Sequence, residues 1–161
     1  MSHPPILVDS AFPIVVSAHP TSAGPTAVAH VLAAYEANFA RERRFAFITR
    51  SLPGGTRLTA HDRLKIAEWA NTPRVRELTR RWVVCSAAIV AGRLERGTMT
   101  ALLWLWTPPS PHSTCATSEE AVGFCLARLE AAGLVRDDQR ARLQARAMSL
   151  LGVTEGLRAD P

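Results

Sequence analysis

The 161-residue chain contains few cysteines and aromatic residues, and no long apolar run. Its three cysteines, Cys85, Cys115 and Cys125, form no Cys-x-x-Cys pair, so the sequence predicts no disulfide framework and favours reduced thiols in the cytoplasm. The N-terminus also lacks the basic start of a secretory signal, which favours the same compartment. No apolar stretch reaches the roughly 18 residues of a membrane helix, so no membrane span is expected.

The common motifs of catalysis and nucleotide binding are also missing. The Pro-Gly-Gly loop at 53–55 lacks the lysine of a Walker loop, and there is no Gly-x-Gly-x-x-Gly or Gly-x-Ser-x-Gly sequence. The five histidines are scattered without the spacing of metal ligands. The sequence therefore predicts no metal, no cofactor and no enzymatic activity.

The composition is that of a folded globular domain. Hydrophobic residues make up 47% of the chain and charged residues 20%, and the length fits a single domain. We expect that domain to span residues 5–151 and to include a C-terminal helix. Residues 1–4 and 152–161 are expected to be flexible ends.

Apolar periodicity predicts alternating strands and helices, which is typical of an α/β fold. Val83–Ala91 is a continuous small and β-branched run, expected of a central strand that is covered on both faces. The other predicted strands are Ile6–Val8 and Ile14–Val16, expected to be antiparallel, Phe45–Thr49, and an edge strand at His112–Ala116. The predicted helices are about Pro25–Ala40, Thr59–Trp69, Arg74–Arg81, Arg93–Trp106, Thr117–Ala132 and Asp137–Leu151. Thr59 is predicted to cap the second of these helices, and Thr117-Ser118-Glu119-Glu120 matches a capping box at the start of the fifth.

Positive charge is concentrated in the centre of the chain. Residues 41–81 hold eleven basic and four acidic residues, whereas residues 82–161 hold eight of each. A basic patch at Arg74, Arg76, Arg80 and Arg81 could contact nucleic-acid phosphates. No interleaved exposed aromatic series accompanies it, so we favour a solvated and partly ion-paired surface, and next an acidic protein partner.

Trp104 and Trp106 are two residues apart on one predicted helix and cannot share a narrow stripe. Either this helix is buried almost all round, or one tryptophan faces a partner or a second copy of the chain. Tryptophan is enriched at interaction hot spots, which supports the partner alternative. Trp69 and Trp82 are interpreted as ordinary packing residues.

Positions that prompt a comparison with a known family are Arg63, Trp69, the strand Ala87–Ala91, Arg96-Gly97, Leu102-Leu103-Trp104 and Glu120-Ala121. Together with the order of the elements, they resemble the STAS-like, anti-sigma-factor-antagonist-like domains over about residues 5–132. That resemblance implies a small mixed sheet of four to five strands with helices packed mainly on one face, and the binding of a protein partner without catalysis.

In that family, the loop after a strand carries an Asp-Ser-Ser/Thr-Gly-type phosphorylation segment. The corresponding loop here has Ser51 as its nearest hydroxyl, but it lacks the acidic residue and contains Gly54 and Gly55. We therefore retain a binding role and no phosphorylation role. Arg50 and Arg57 flank the loop and are predicted to be surface donors for an acidic partner.

Three classes of function follow from these observations. A non-catalytic, regulatory protein-interaction module is preferred. A basic nucleic-acid-associated protein is second, and a domain that binds a small molecule or a lipid is third.

Overall fold

The structure, a computed structural model, describes residues 7–8, 11–19, 25–51, 59–90 and 92–156. These residues form one five-stranded sheet in the order β1-β2-β3-β4-β5. Strand β1 runs antiparallel to β2, and each later strand is parallel to its neighbour, which confirms a mixed α/β sheet. The strands are β1 Leu7–Val8, β2 Ile14–His19, β3 Phe45–Ser51, β4 Val83–Ile89 and β5 His112–Cys115.

Helices connect the parallel strands and follow the last one. The Thr59 side chain accepts a hydrogen bond from the backbone N–H of Asp62, whose carboxylate accepts one from the backbone N–H of Thr59. The second helix therefore begins with a capping box; the sequence predicts the Thr59 cap but not the reciprocal bond from Asp62. The helices are α1 Pro25–Phe39, α2 Ala60–Asn71, α3 Pro73–Trp82, α4 Arg93–Leu105, α5 Ser118–Ala131 and α6 Asp137–Gly156.

Alternating side chains on β3 divide the core into two clusters. In the first core cluster, Phe45 and Phe47 pack with side chains of α1 and α3. In the second core cluster, Ala46 and Ile48 pack with side chains of α5 and α6. Opposite faces are expected for neighbouring residues of a strand, so helices cover both sides of this sheet. With α4 beside α2, four helices lie on the first side, and α5 and α6 cover the second side, as expected for a central strand that is covered on both faces.

The predicted central strand, β4, is interior and buried along its whole length, but it is not the middle strand, because β3 is the third of the five. Strand β5 pairs with the outer side of β4 and occupies the predicted edge position. Helix α6 continues to Gly156, past the predicted end of the domain at Leu151.

Candidate functional site

Arg50 lies near the end of β3 and is buried, with 7% of its surface exposed. One guanidinium nitrogen, Nη1, donates to Ser118 Oγ at 3.0 Å and to the carbonyl oxygen of Leu151 at 3.4 Å. The guanidinium therefore links β3 to the start of α5 and to α6. The predicted surface position of Arg50 is wrong, because the second helical layer covers this end of the strand.

A half-open cavity of about 260 Å³ lies beside Arg50 at the N-terminal end of α5. The predicted loop residues Gly54, Gly55 and Arg57 lie outside the described residues, and the side chain of Ser51 is not described. The structure thus places only Arg50 from the predicted loop site. The cavity is lined by Arg50, Ala116, Thr117, Ser118, Glu119, Met148 and Gly152.

At this cavity, the side chains of Thr117 and Glu120 accept hydrogen bonds from backbone N–H groups at the N-terminus of α5. Thr117 Oγ1 accepts a hydrogen bond from the backbone N–H of Glu120 at 3.2 Å, as predicted. Glu120 Oε2 accepts from the backbone N–H of Ala116 at 2.8 Å, not from that of Thr117. The reciprocal bond of the predicted capping box is therefore displaced by one residue, and both side chains stabilise the helix start.

Helix α4 carries the largest exposed aromatic side chain among the described residues. Trp104 is 83% exposed and its neighbour Leu105 is 48% exposed. Trp106 follows the helix as its C-cap residue in an extended conformation and is half-buried. Of the two alternatives for this tryptophan pair, the structure therefore supports an outward-facing side chain, and Trp104 is the residue that faces out.

The exposed side of α4 extends from its first turn to Trp104. Because these positions recur three to four residues apart, they lie along one side of a helix. We call this set the α4 surface: Arg93, Arg96, Gly97, Thr100 and Trp104, all exposed.

Contacts with α2 and α3 fix the C-terminal end of α4. Asn71 Nδ2 donates to the carbonyl oxygen of Leu105 at 3.1 Å, and Arg76 Nη1 donates to that of Thr107 at 3.4 Å. The Leu105 carbonyl oxygen would otherwise lack an intrahelical partner at the helix end, and Thr107 lies just beyond the C-cap residue. Trp104 therefore projects from a position that the neighbouring helices hold in place.

The predicted basic patch on α3 is largely engaged within the protein. Arg74 donates to both carboxylate oxygens of Glu36, at 2.8 and 2.7 Å, and this pairing is the main cause of the lowered pKa of Glu36. Arg80 is 3.5 Å from Glu77, and the Arg81 guanidinium lies 4.8 Å from the centre of the Trp82 ring. Together with Arg76, these side chains form the partly paired surface that the sequence reasoning favoured.

Trp69 and Trp82 are half-buried and pack against the first core cluster, which confirms their interpretation as packing residues. Trp69 Nε1 also donates to Glu36 Oε1 at 3.2 Å. Glu36 therefore joins α1 to both α2 and α3.

The sequence reasoning missed one polar pair inside the fold. Ser86 Oγ and His112 Nδ1 share a hydrogen bond of 2.8 Å between β4 and β5. Their separation of 26 residues gives no local signal, and only the parallel pairing of Ser86 with His112 brings them together. A serine and a histidine in contact can form a nucleophile and its base, but Ser86 is only 6% exposed. Its hydroxyl is therefore poorly placed to reach a substrate.

We expect His112 to make folding stability depend on pH. Burial lowers the pKa of His112 below 6.5. As the pH falls below about 6.5, the unfolded chain therefore gains a proton that the folded chain resists, and stability decreases by up to about 1.4 kcal/mol per pH unit. Urea unfolding of the wild type at pH 7.5 and 5.5 should show this decrease.

The matched variants for this test are His112→Gln and His61→Gln, since His61 is exposed. The first should flatten the dependence between pH 7.5 and 5.5, and the second should leave it unchanged. An equal pH dependence in the wild type and His112→Gln would contradict the assignment.

All three cysteines are unpaired thiols in the second core cluster. A hydrogen bond with Cys85 and burial both raise the pKa of Cys125, so this thiol stays protonated at neutral pH. Among the residues that the structure describes, no group of histidine, cysteine and acidic side chains could hold a metal ion. The hydrogen bond between Cys85 and Cys125 lowers the pKa of Cys85, and all three side chains pack as small groups inside this cluster.

The fold and these contacts define a three-layer α/β domain with one largely exposed tryptophan, Trp104, on α4. None of its described helices is long and apolar enough to cross a membrane. Compared with known proteins, the chain matches no family model, no curated protein and no solved structure. The STAS-like resemblance accordingly stays a prediction.

Proposed function

We propose that this protein is a non-catalytic protein-interaction module, of the STAS-like kind, and that its α4 surface contacts the partner. The observation that carries the proposal is the 83% exposure of Trp104 beside the half-exposed Leu105. Hydration of a large exposed aromatic side chain costs free energy, and a partner that covers this side chain makes the free energy of binding more favourable. Tryptophan is also the side chain most often found at the energetic centre of an interface.

The setting of Trp104 supports the same role. Hydrogen bonds from Asn71 and Arg76 hold the chain at residues 105 and 107, on the C-terminal side of this tryptophan. Binding to a surface that is already ordered loses less conformational entropy than binding to a mobile one. Trp104 is therefore suited to anchor a specific complex.

Other features fit a binding role better than the alternative classes. Three of the four arginines of α3, Arg74, Arg80 and Arg81, contact Glu36, Glu77 and Trp82, which leaves them less available for phosphates. The Ser86 hydroxyl, the one candidate nucleophile next to a histidine in the described part of the chain, is buried. The loop residues Ser51, Gly54, Gly55 and Arg57 stay a proposed second contact with the partner.

We expect Trp104→Ala to weaken partner binding about 30-fold or more, because removal of an interface anchor costs about 2 kcal/mol or more. Tagged wild-type and variant proteins would be incubated with native lysate. The partner retained by the wild type would be identified, purified and titrated against both proteins. Circular dichroism should show the same fold, since Trp104 makes little of the core.

Leu134→Ala is the matched control, because Leu134 is also exposed, at 37%, but follows α5. This control should retain wild-type affinity. Equal affinity of the partner for Trp104→Ala and the wild type would refute α4 as the contact surface.

A further inference from the structure

We infer that the α4 surface receives an acidic segment of the partner protein, with carboxylates over Arg93 and Arg96 and an apolar side chain against Trp104. This inference rests on the proposed function and adds to it the chemistry of the partner. It commits to one occupant, a protein segment that carries both carboxylates and an apolar anchor. The evidence is the distribution of charge and apolar surface along α4.

The N-terminal end of the α4 surface is cationic. Arg93 and Arg96 are exposed, and their guanidinium groups make no hydrogen bond or ion pair within the described part of the chain. Lys65 on α2, the helix that packs beside α4, is also exposed. Cations near a helix N-terminus oppose the helix dipole, so these arginines do not serve the stability of α4. An external carboxylate would complement both the arginines and the dipole.

The opposite end of the α4 surface is apolar and is formed by Trp104, next to which Leu105 is also partly exposed. Arg96 and Arg93 precede Trp104 by eight and eleven residues, which corresponds to about 12 and 16 Å along the helix. A partner segment must span the same distance between its carboxylates and its apolar anchor. That distance equals about eight to eleven residues of a helix, or about four to five residues of an extended chain.

Between the two ends, Gly97 leaves a bare position on the helix. A Cβ atom added there would meet no atom within 4 Å, so nothing inside the described structure requires glycine. Glycine in a helix interior costs about 1 kcal/mol relative to alanine. A smooth backbone at this point lets a partner segment approach α4 closely as it crosses from Arg96 to Trp104.

Charge complementarity favours an acidic protein segment over the other occupants. A second copy of the chain would bring two more arginines to the contact and no carboxylate from the described α4 surface. A nucleic acid would match the arginines but would not supply an aliphatic anchor. An anionic membrane would be held by only Trp104 and Leu105, whereas interfacial helices bury a broad apolar face.

The experiment uses a library of random 16-residue peptides displayed on phage. Peptides are selected on the full chain and counter-selected on the double variant Arg93→Glu/Arg96→Glu. We expect the enriched peptides to carry net negative charge, with an aromatic or aliphatic residue at either of the two spacings given above. A synthetic copy of an enriched peptide should bind the wild type at least tenfold more tightly than the double variant.

Arg142→Glu/Arg146→Glu is the matched control, since both arginines are exposed on α6 and the change in net charge is identical. This control should retain wild-type affinity for the peptide. The absence of enrichment, or enrichment of neutral or basic peptides, would overturn the inference. So would an equal loss of affinity in the two double variants, which would indicate a nonspecific charge effect.

Three further measurements test the other occupants, namely a membrane, a nucleic acid and a second copy of the chain. Binding of the wild type is measured to phosphatidylserine vesicles and to a 20-nucleotide DNA, and its dimerisation is measured by light scattering. If the wild type shows one of these interactions and Arg93→Glu/Arg96→Glu abolishes that interaction, the inference is overturned. If the native partner requires Trp104 but tolerates Arg93→Glu/Arg96→Glu, the acidic-segment inference fails and the proposed function stands. If the partner does not require Trp104, the proposed function itself fails.

Discussion

Arg50→Glu is expected to destabilise the protein by more than about 3 kcal/mol. The substitution would remove the donor that Ser118 Oγ and the Leu151 carbonyl oxygen now accept from, and would place a carboxylate among acceptors. An uncompensated buried charge typically costs about 3 to 5 kcal/mol. Urea unfolding at pH 7.5, compared with the wild type, measures the loss.

Arg142→Glu provides the comparison for this charge reversal, because Arg142 is exposed on α6. Its stability should remain within about 0.5 kcal/mol of the wild type. Arg50→Gln, which keeps an N–H donor without the charge, should fall between the two. If Arg50→Glu unfolds at the same urea concentration as the wild type, Arg50 is not a buried link between β3 and the helices α5 and α6.

The burial of Arg50 shows where reasoning from local sequence stops. Near a predicted Pro-Gly-Gly loop, an arginine is normally a surface residue, and the local pattern contains no contrary signal. Its partners Ser118 and Leu151 are 68 and 101 residues away. Only the packing of α5 and α6 on the second face of the sheet brings them to the end of β3.

The secondary structure, by contrast, was predictable from the sequence because its signals are local. Thr59 and Thr117 both cap helices as predicted, and Pro73 at the start of α3 separates that helix from α2. The apolar run that forms β4 correctly indicated a strand buried on both faces. The face of the sheet that each helix covers was not predictable. The helices carry similar apolar stripes, and only long-range packing assigns each helix to one face.

The candidate site was predicted in part. The spacing of Trp104 and Trp106 indicated that one narrow face could not bury both, but it could not identify the exposed one. The choice depends on where α4 ends: Trp106 leaves the helix as its C-cap, whereas Trp104 stays on the exposed side. The cations of the α4 surface, Arg93 and Arg96, were outside the predicted basic patch. They belong to residues 82–161, where basic and acidic residues are equal in number, and only the helix brings them to one side.

The last prediction concerns Phe47, which lies on β3, the strand in the middle of the sheet. Phe47 is fully buried, its ring stacks on Tyr35 with 4.1 Å between centroids, and it meets Phe45 edge-on at 6.3 Å. Phe47→Ala should therefore lower the free energy of unfolding by about 3 to 5 kcal/mol, since it removes these contacts and leaves a cavity between β3 and α1.

Calorimetric and urea unfolding would measure this loss of stability, and Phe47→Leu is expected to recover much of it. Phe124→Ala, which truncates a half-buried ring on α5, should cost clearly less. A loss below about 1 kcal/mol for Phe47→Ala would show that this aromatic cluster does not hold the first helical layer, and therefore the α2 support of α4, against the sheet.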